Sequence, residues 1–401
     1  MNDMSIATPR IAFDISALDP NFKAHAQRGI GRYVSELVKY FSNEQYPVQR
    51  FDHNSLPARS PFLKSIDWIS RVSPLGRNTL RQQFLYPLKL GRADFSAVEA
   101  IHFPAHMDAP MWSKRPCIVT VLDLIPHVLS DLYKADRSPW RYRLARGLEI
   151  RAIRNAKLIL AISKCTAKDI ENILGIPGER IVVTPLGVGE EFFRQQILDE
   201  ASIRARYNIP CGRKIILYVG GIDPRKNINV MFEAFSIVCA KERESGAIPP
   251  VLLLSGRIQE DREYPKLISR ITELSLQKDV ITPGYIREED LLSLYAISAV
   301  FFFPSLYEGF GLPPLEAMAA GTPVVSSNSS SLPEVLGDAA LLVAPSDVQG
   351  FAEALYGVLK NPDLRSRLSA CGRKQAQHFS WAKTGQATIN AYRSLSQRGV
   401  H

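Results

Sequence analysis

The residues best suited to chemistry gather in one stretch, EGFGLPPLEAMAAG, from Glu308 to Gly321. Two carboxylates, Glu308 and Glu316, bracket two glycines and two prolines, directly after the apolar run AVFFFPS, Ala299 to Ser305. An acid near an apolar sheet is costly unless it is hydrogen-bonded. Either both glutamates stand in water, or they line a site and hold a ligand. Gly309 and Gly311 permit close backbone approach and unusual φ/ψ. Pro313 and Pro314 suit the first turn of a helix, where a missing N–H costs little. The helix start offers free N–H groups to a phosphate, and Glu316 is expected in that first turn. Ionised carboxylates accept strongly from hydroxyls such as those of a sugar. The competing reading is a capped helix whose acids favour the dipole.

A second constellation is YVGGIDPRKN, Tyr218 to Asn227. A strand is expected to end at Gly220 and Gly221, with Arg225 and Lys226 in the loop and Asn227 as N-cap of the next helix. Arginine clamps a phosphate in bidentate fashion and lysine adds a point charge, so the pair suits a pyrophosphate; the alternative is a solvated loop. A third, QRGIGRYVSELV, has glycines at Gly29 and Gly31 but Val34 where a dinucleotide fingerprint needs its third. It also follows its strand only after a long loop, which argues against an NAD site. A fourth places His102, His106, Asp123 and His127 near strand ends, with Asp123, just after CIVTVL, the best placed. A lone histidine is more often structural than functional. No histidine or cysteine spacing marks a metal site. There is no nucleophile elbow and no P-loop.

These residues need strands and helices to position them. Short apolar runs alternate with helical patterns: Ile11–Ser16, 117–122, 157–163 and 180–185 in the first half. The second half carries 214–221, 250–256, 279–284, 299–304, 322–327 and 339–345. They are apolar on both faces, as strands of a covered parallel sheet are, and the alternation implies doubly wound α/β domains. A polar stretch before RYNIPCGRK separates the two series. The expected division is therefore 1–199 and 200–382, with a last amphipathic helix over 383–401. Two Rossmann-like parallel-sheet domains are expected to face each other across a cleft, with ligands beyond the strand C-terminal ends.

Composition narrows the class. The chain has 401 residues, a net charge of +9 and five scattered cysteines without a C-x-x-C pair. No apolar run spans a bilayer, and the first residues carry no signal-peptide pattern. The expectation is a reduced, cytoplasmic protein. Basic residues concentrate at Arg59, Lys64, Arg71, Arg77, Arg81, Lys89 and Arg92, interleaved with aromatic and aliphatic side chains, and again from Lys134 to Lys157. Anionic lipid, nucleic acid or phosphorylated substrate fits such charge, as does a solvated face. No recognition motif accompanies it, so nucleic acid is not expected as a partner.

The pairing of GG-x-x-x-RKN with EGFG-x-x-x-LE resembles the retaining glycosyltransferases of family 4, which have the GT-B fold. The likeness runs along essentially the whole chain and is strongest from Lys214 to Pro345; GIGRY, HFPAH and LDLIP are similar to the branch that builds bacterial polysaccharides and O-antigens, often mannosyltransferases. By this resemblance Glu308 would hold the donor sugar hydroxyls, Glu316 the ribose, and Arg225 and Lys226 the diphosphate. Gly309 and the backbone of Phe310, Gly311 and Leu312 would meet phosphates or sugar. Pro283 to Ile286, including Tyr285, would face the base, beside Gly221, and Gly29 and Gly31 would line the site from the other domain. The final helix would cross back over the first domain. Many relatives carry His-Asp where this chain has Leu122-Asp123, so His102, His106 and His127 enter as acceptor-side candidates.

The implied reaction is transfer of a hexose, first mannose from GDP-mannose, onto a growing or lipid-linked saccharide, with no cofactor and no divalent metal. Asp123 is the sole candidate for a carboxylate nucleophile, and the basic region from Arg59 suggests attachment to the inner-membrane surface. The alternatives are a UDP-sugar-dependent transferase, an epimerase or phosphorylase of the same fold, and a non-catalytic carbohydrate-binding subunit.

Overall fold

The protein is described here from a computed structural model, over residues 9–20, 29–52, 55–56, 86–133, 139–194 and 199–397. The basic stretch from Arg59 to Arg81 lies outside the described residues. Of the second stretch, Arg146 pairs with Glu149 at 2.6 Å and Arg154 Nε donates to the Leu174 carbonyl at 3.2 Å.

Two compact units emerge, each around one six-stranded parallel sheet. The first runs to Leu186 and takes in the residues from Trp381; the second is Gly187–Ser380. The division comes before the expected 199/200, and packing explains it. The turn Glu190–Phe193 belongs to the second unit, where the Phe192 ring meets Tyr295 edge-on at 5.9 Å and Val188 bridges Ser380.

The first sheet has the order β2-β1-β3-β4-β5-β6. Its strands are β1 (Ile11–Asp14), β2 (Val48–Phe51), β3 (Ala100–Phe103), β4 (Cys117–Val121), β5 (Leu158–Ala161) and β6 (Ile181–Val183). The second has the order β12-β11-β10-β7-β8-β9. It comprises β7 (Ile215–Val219), β8 (Val251–Ser255), β9 (Val280–Gly284), β10 (Val300–Phe303), β11 (Val324–Ser327) and β12 (Leu341–Val343). Sequence reading finds ten of these; β2, on the sheet edge with Gln49 and Arg50 exposed, and the short β3 escape it.

The order places a site in the second unit by topology alone. From β7 the chain winds out through β8 and β9, then returns to pair β10 on the other flank of β7. That reversal opens a crevice at the carboxyl ends of β7 and β10, where open α/β sheets bind ligands. Beneath it β10 is buried on both faces, with Val300, Phe301, Phe302 and Phe303 all at 0% exposure. Each such phenylalanine contributes about 1.5–3 kcal/mol of burial. Phe303 stacks on Tyr218 of β7 at 6.0 Å, so the two strands that carry the crevice are locked side by side.

The last helix, Trp381–Gln397, returns to the first unit and packs on the helix Gly29–Asn43. The approach is close: a Cβ added at Gly385 would overlap the ring of Tyr40. Tyr392 enters the core of that unit, fully buried, within 6.1 Å of Phe41 and 6.0 Å of Tyr46 between ring centres.

Candidate active site

The loops after β7 and β10 meet at the crevice. Leu306 N–H donates to the Arg225 carbonyl at 2.7 Å, tying the two loops together. Asn227 sits at the expected N-cap position of the helix Ile228–Glu244, with φ of 60°, but its side chain does not cap it. Its Nδ2 instead donates to the carbonyls of Pro304 at 3.0 Å and Pro345 at 2.7 Å, pinning the loop to the ends of β10 and β12.

This stitching brings Glu308, Arg225 and Lys226 into one buried cluster. Glu308 Oε1 lies 2.6 Å from Lys226 Nζ, and Oε2 lies 2.7 Å from an Arg225 guanidinium nitrogen. Arg225 Nε also faces Asp223 Oδ1 at 3.2 Å. Glu308 is 9% exposed and Lys226 6%. The Lys226 ammonium stands over the Phe303 ring at 5.0 Å. Burial pushes the Glu308 carboxyl up, but Lys226 and Arg225 outweigh it and hold the group below its ordinary value. Burial likewise lowers Lys226, against the opposing pull of Glu308.

The backbone at Glu308 is fixed by residues that sequence reading passes over. Glu308 N–H donates to Ser330 Oγ at 2.8 Å. The buried Ser331 hydroxyl lies 2.9 Å from the carbonyls of both Glu308 and Phe310. The signal was the SSS run, Ser329 to Ser331, just after β11. Three hydroxyls beside a glycine-rich loop can serve as its scaffold.

The helix Leu312–Ala320 starts as expected, with prolines in its first positions and Gly311 before it at φ 103°. A side chain at Gly311 would be strained by that φ, and its Cβ would lie 2.8 Å from Leu332. Glu316 is not in the first turn, which holds no acid. It is the helix's fifth residue, because helical backbone begins at Leu312 and not later. The macrodipole therefore does not account for it. Glu316 is 7% exposed and accepts from the Tyr295 hydroxyl at 3.0 Å.

The other donor-side candidates fall into two groups. Gly221 is exposed, its carbonyl accepting from Tyr218 Oη at 2.5 Å. Tyr285, just past β9, is 64% exposed with the Arg257 guanidinium 5.1 Å from its ring centre, a flat surface fit for stacking. Ile286 and Phe310 are buried, and Phe310 packs edge-on against Phe379 at 5.7 Å. Those two, with Gly309, Gly311 and Leu312, can offer a ligand main chain.

In the first unit, Gly29 and Gly31 open a helix directly and are not a loop before one. Asp123 follows β4, is partly exposed, and its Oδ1 accepts from Ile125 N–H at 3.1 Å. His102 leaves the ligand candidates. It is fully buried in β3, with Nδ1 2.6 Å from Tyr392 Oη and Nε2 2.8 Å from Thr120 Oγ1. Burial depresses its pKa to about 3, so it stays neutral. His106 is buried too, and His127 is half-buried, its pKa lowered by burial and by Arg146.

A cavity of about 760 Å³ lies at the opposite end of this sheet, where β1, β3 and β4 begin, lined by Ile11, Ala100, Trp112, Lys114, Arg115 and Cys117. Open α/β sheets bind at their carboxyl ends, so the crevice of the second unit remains the candidate site. Among the described residues no group of three or more His, Cys, Asp or Glu is placed to hold a metal ion.

Comparison with known proteins bears on family and fold. Residues 27–192 match the model of Glycosyltransferase Family 4, and residues 199–375 that of Glycosyl transferases group 1. The chain is 36% identical over 382 residues to an O-antigen chain mannosyltransferase B of Escherichia coli, covering 92% of this chain and 96% of that protein. It is 31% identical over 285 residues to a serotype-specific mannosyltransferase of Escherichia coli, over 69% of this chain and 33% of that longer protein. Among solved structures, a sucrose-phosphate synthase from Thermosynechococcus elongatus shares the fold, with TM-score 0.70 at 22% identity over 98% of this chain and 100% of that one. The resemblance read in the paired motifs is borne out: the chain is a glycosyltransferase of family 4 with the GT-B fold.

Proposed function

We propose that this glycosyltransferase moves mannose, with retention, from GDP-mannose to a growing or lipid-linked saccharide in bacterial surface-polysaccharide synthesis. The observation that carries the donor site is the cluster of Glu308, Arg225 and Lys226 at the switch point of the second sheet. The names of the two mannosyltransferase relatives support the sugar and the pathway. Glu308 takes the sugar hydroxyls, Glu316 the ribose, and Tyr285 with Arg257 the base.

Arg225 and Lys226 neutralise the departing diphosphate, so catalysis is chiefly orientation and electrostatic stabilisation. The two cations supply the charge a divalent metal would otherwise bring. The acceptor hydroxyl attacks on the face the diphosphate leaves and gives that phosphate its proton. We assign Asp123 and the partly exposed His127 to the acceptor side, since both stand just beyond β4 and reach partial exposure.

Thermal melting against GDP, UDP, ADP and their sugar conjugates, without added metal, tests the donor. At a hundred times its dissociation constant a ligand stabilises by about 2.7 kcal/mol. A shift with GDP and GDP-mannose that is absent in Glu316→Ala supports the reading. A shift with UDP-sugars alone moves the assignment to a UDP-sugar transferase, and turnover without any acceptor moves it to an epimerase. Peripheral attachment is tested with anionic liposomes, where binding lost at high salt is the expected result.

A further inference from the structure

The two cations assigned to the donor diphosphate are already discharged by the protein. Lys226 Nζ and Arg225 each hold one oxygen of Glu308, at 2.6 and 2.7 Å, inside a site where Glu308 and Lys226 are nearly closed to solvent. Asp223, 3.2 Å from Arg225 Nε, is the second acid of the cluster. Neutral groups among the described residues also face it. Tyr218 is buried with its phenol well above the ordinary range, Ser330 and Ser331 are engaged with backbone, and Phe303 lies under Lys226. Two cations thus face the carboxylates of Glu308 and Asp223.

A diphosphate adds at least two negative charges and needs the same cations. It competes with Glu308 for them, and as they turn toward the phosphates Glu308 stands buried beside an anion. Burial by itself disfavours the charged carboxylate, and here the two cations are the main influences opposing it, with a smaller one from the Ser305 hydroxyl. The carboxylate can be relieved in two ways: by hydroxyls that donate to it, or by a proton. An intact sugar nucleotide brings the hydroxyls. The spent nucleoside diphosphate does not.

We propose that Glu308 takes up a proton when a nucleoside diphosphate without its sugar occupies Arg225 and Lys226, and stays ionised when the intact donor binds. This rests on the donor-site reading above. The proton comes from solvent to a Glu308 oxygen, and no covalent bond changes. The site then distinguishes donor from product by protonation. Affinity for the free diphosphate falls by up to about tenfold per pH unit, while affinity for the intact donor stays nearly level. Inhibition by product relaxes as pH rises.

The test is calorimetric titration of the full chain with GDP, then UDP, and with GDP-mannose without acceptor, in two buffers of different ionisation enthalpy. Working between pH 7.5 and 9 stays above the phosphate's own titration near about 6. The expected result is uptake of up to one proton with the free diphosphate, none with the intact donor, and none with either ligand in Glu308→Gln, which still binds. Should that variant fail to fold, the wild-type contrast between diphosphate and donor carries the test. Binding of the free diphosphate with no proton taken up, or with the same uptake in Glu308→Gln, overturns the inference alone. No binding by any nucleotide overturns the donor-site reading and the inference with it.

Discussion

Replacing Glu308 by alanine is expected to destabilise the second unit as well as stop turnover. The variant leaves the Lys226 ammonium, whose side chain is 8% exposed, without its carboxylate partner. Arg225 fares better, because Asp223 remains at 3.2 Å and its side chain is 19% exposed. Counting the Lys226 contact alone, removal of one partner from a buried pair costs about 3 kcal/mol. For a unit of this size that is a drop of roughly 6–12 °C in melting temperature. The deficit should be refilled by an anion. Pyrophosphate at a hundred times its dissociation constant restores about 2.7 kcal/mol, and restores it better than in the wild type, where Glu308 competes for the same cations. The assay is thermal melting of both proteins with and without pyrophosphate, followed by sugar transfer. A variant that melts within about 2 °C of the wild type without anion, or pyrophosphate that stabilises both proteins equally, would refute the reasoning.

Other predictions follow from separate parts of the molecule. Gly311→Ala forces an L side chain to φ 103° against Leu332, and should cost about 1–3 kcal/mol, read by melting, with transfer falling as the loop shifts. His102→Phe removes the His102 partner of the buried Tyr392 hydroxyl, while Thr120 keeps Tyr33 Oη at 3.1 Å, and should cost about 1–3 kcal/mol for the buried group left unpaired; in the wild type the His102 ring proton resonances should not titrate between about pH 5 and 8, since its folded pKa is about 3. Asp14 is raised from 3.8 to about 6 by burial, against its bonds to Ser16 and Tyr86. Its folded state therefore binds the proton more tightly than the unfolded chain, and stability contributed by this group declines as pH rises from about 4 to about 6; Asp14→Asn should flatten that part of the melting-versus-pH curve.

The legible parts of this fold were those where one strand carries its own signal. AVFFFP and PVLLLSG are apolar on both faces, so β10 and β8 announce a covered parallel sheet. VQRF does not, because β2 is an edge strand whose Gln49 and Arg50 meet water. AIHF conceals β3 behind a histidine that reads as chemistry. Its partners, Thr120 and Tyr392, are 18 and 290 positions away, and nothing local announces them. Glu308, Arg225 and Lys226 were singled out by type and spacing, and the structure brings them together. That Glu308 already holds both cations could not be, since the pairing exists only once β7 and β10 lie side by side. Glu316 was misplaced by one turn because prolines mark where a helix can start and leave its first residue open.

The return of Trp381–Gln397 to the first unit has a consequence for how the protein is made. The second unit, Gly187–Ser380, is complete in one uninterrupted span. The first waits for Tyr392 to fill its core beside Phe41 and Tyr46. At about 5–20 residues per second, a ribosome needs roughly ten to forty seconds to cross the intervening span. During that time the aromatic cluster of the earlier-translated half lacks its Tyr392 ring. The unit begun first is thereby the one whose core draws on the residues made last.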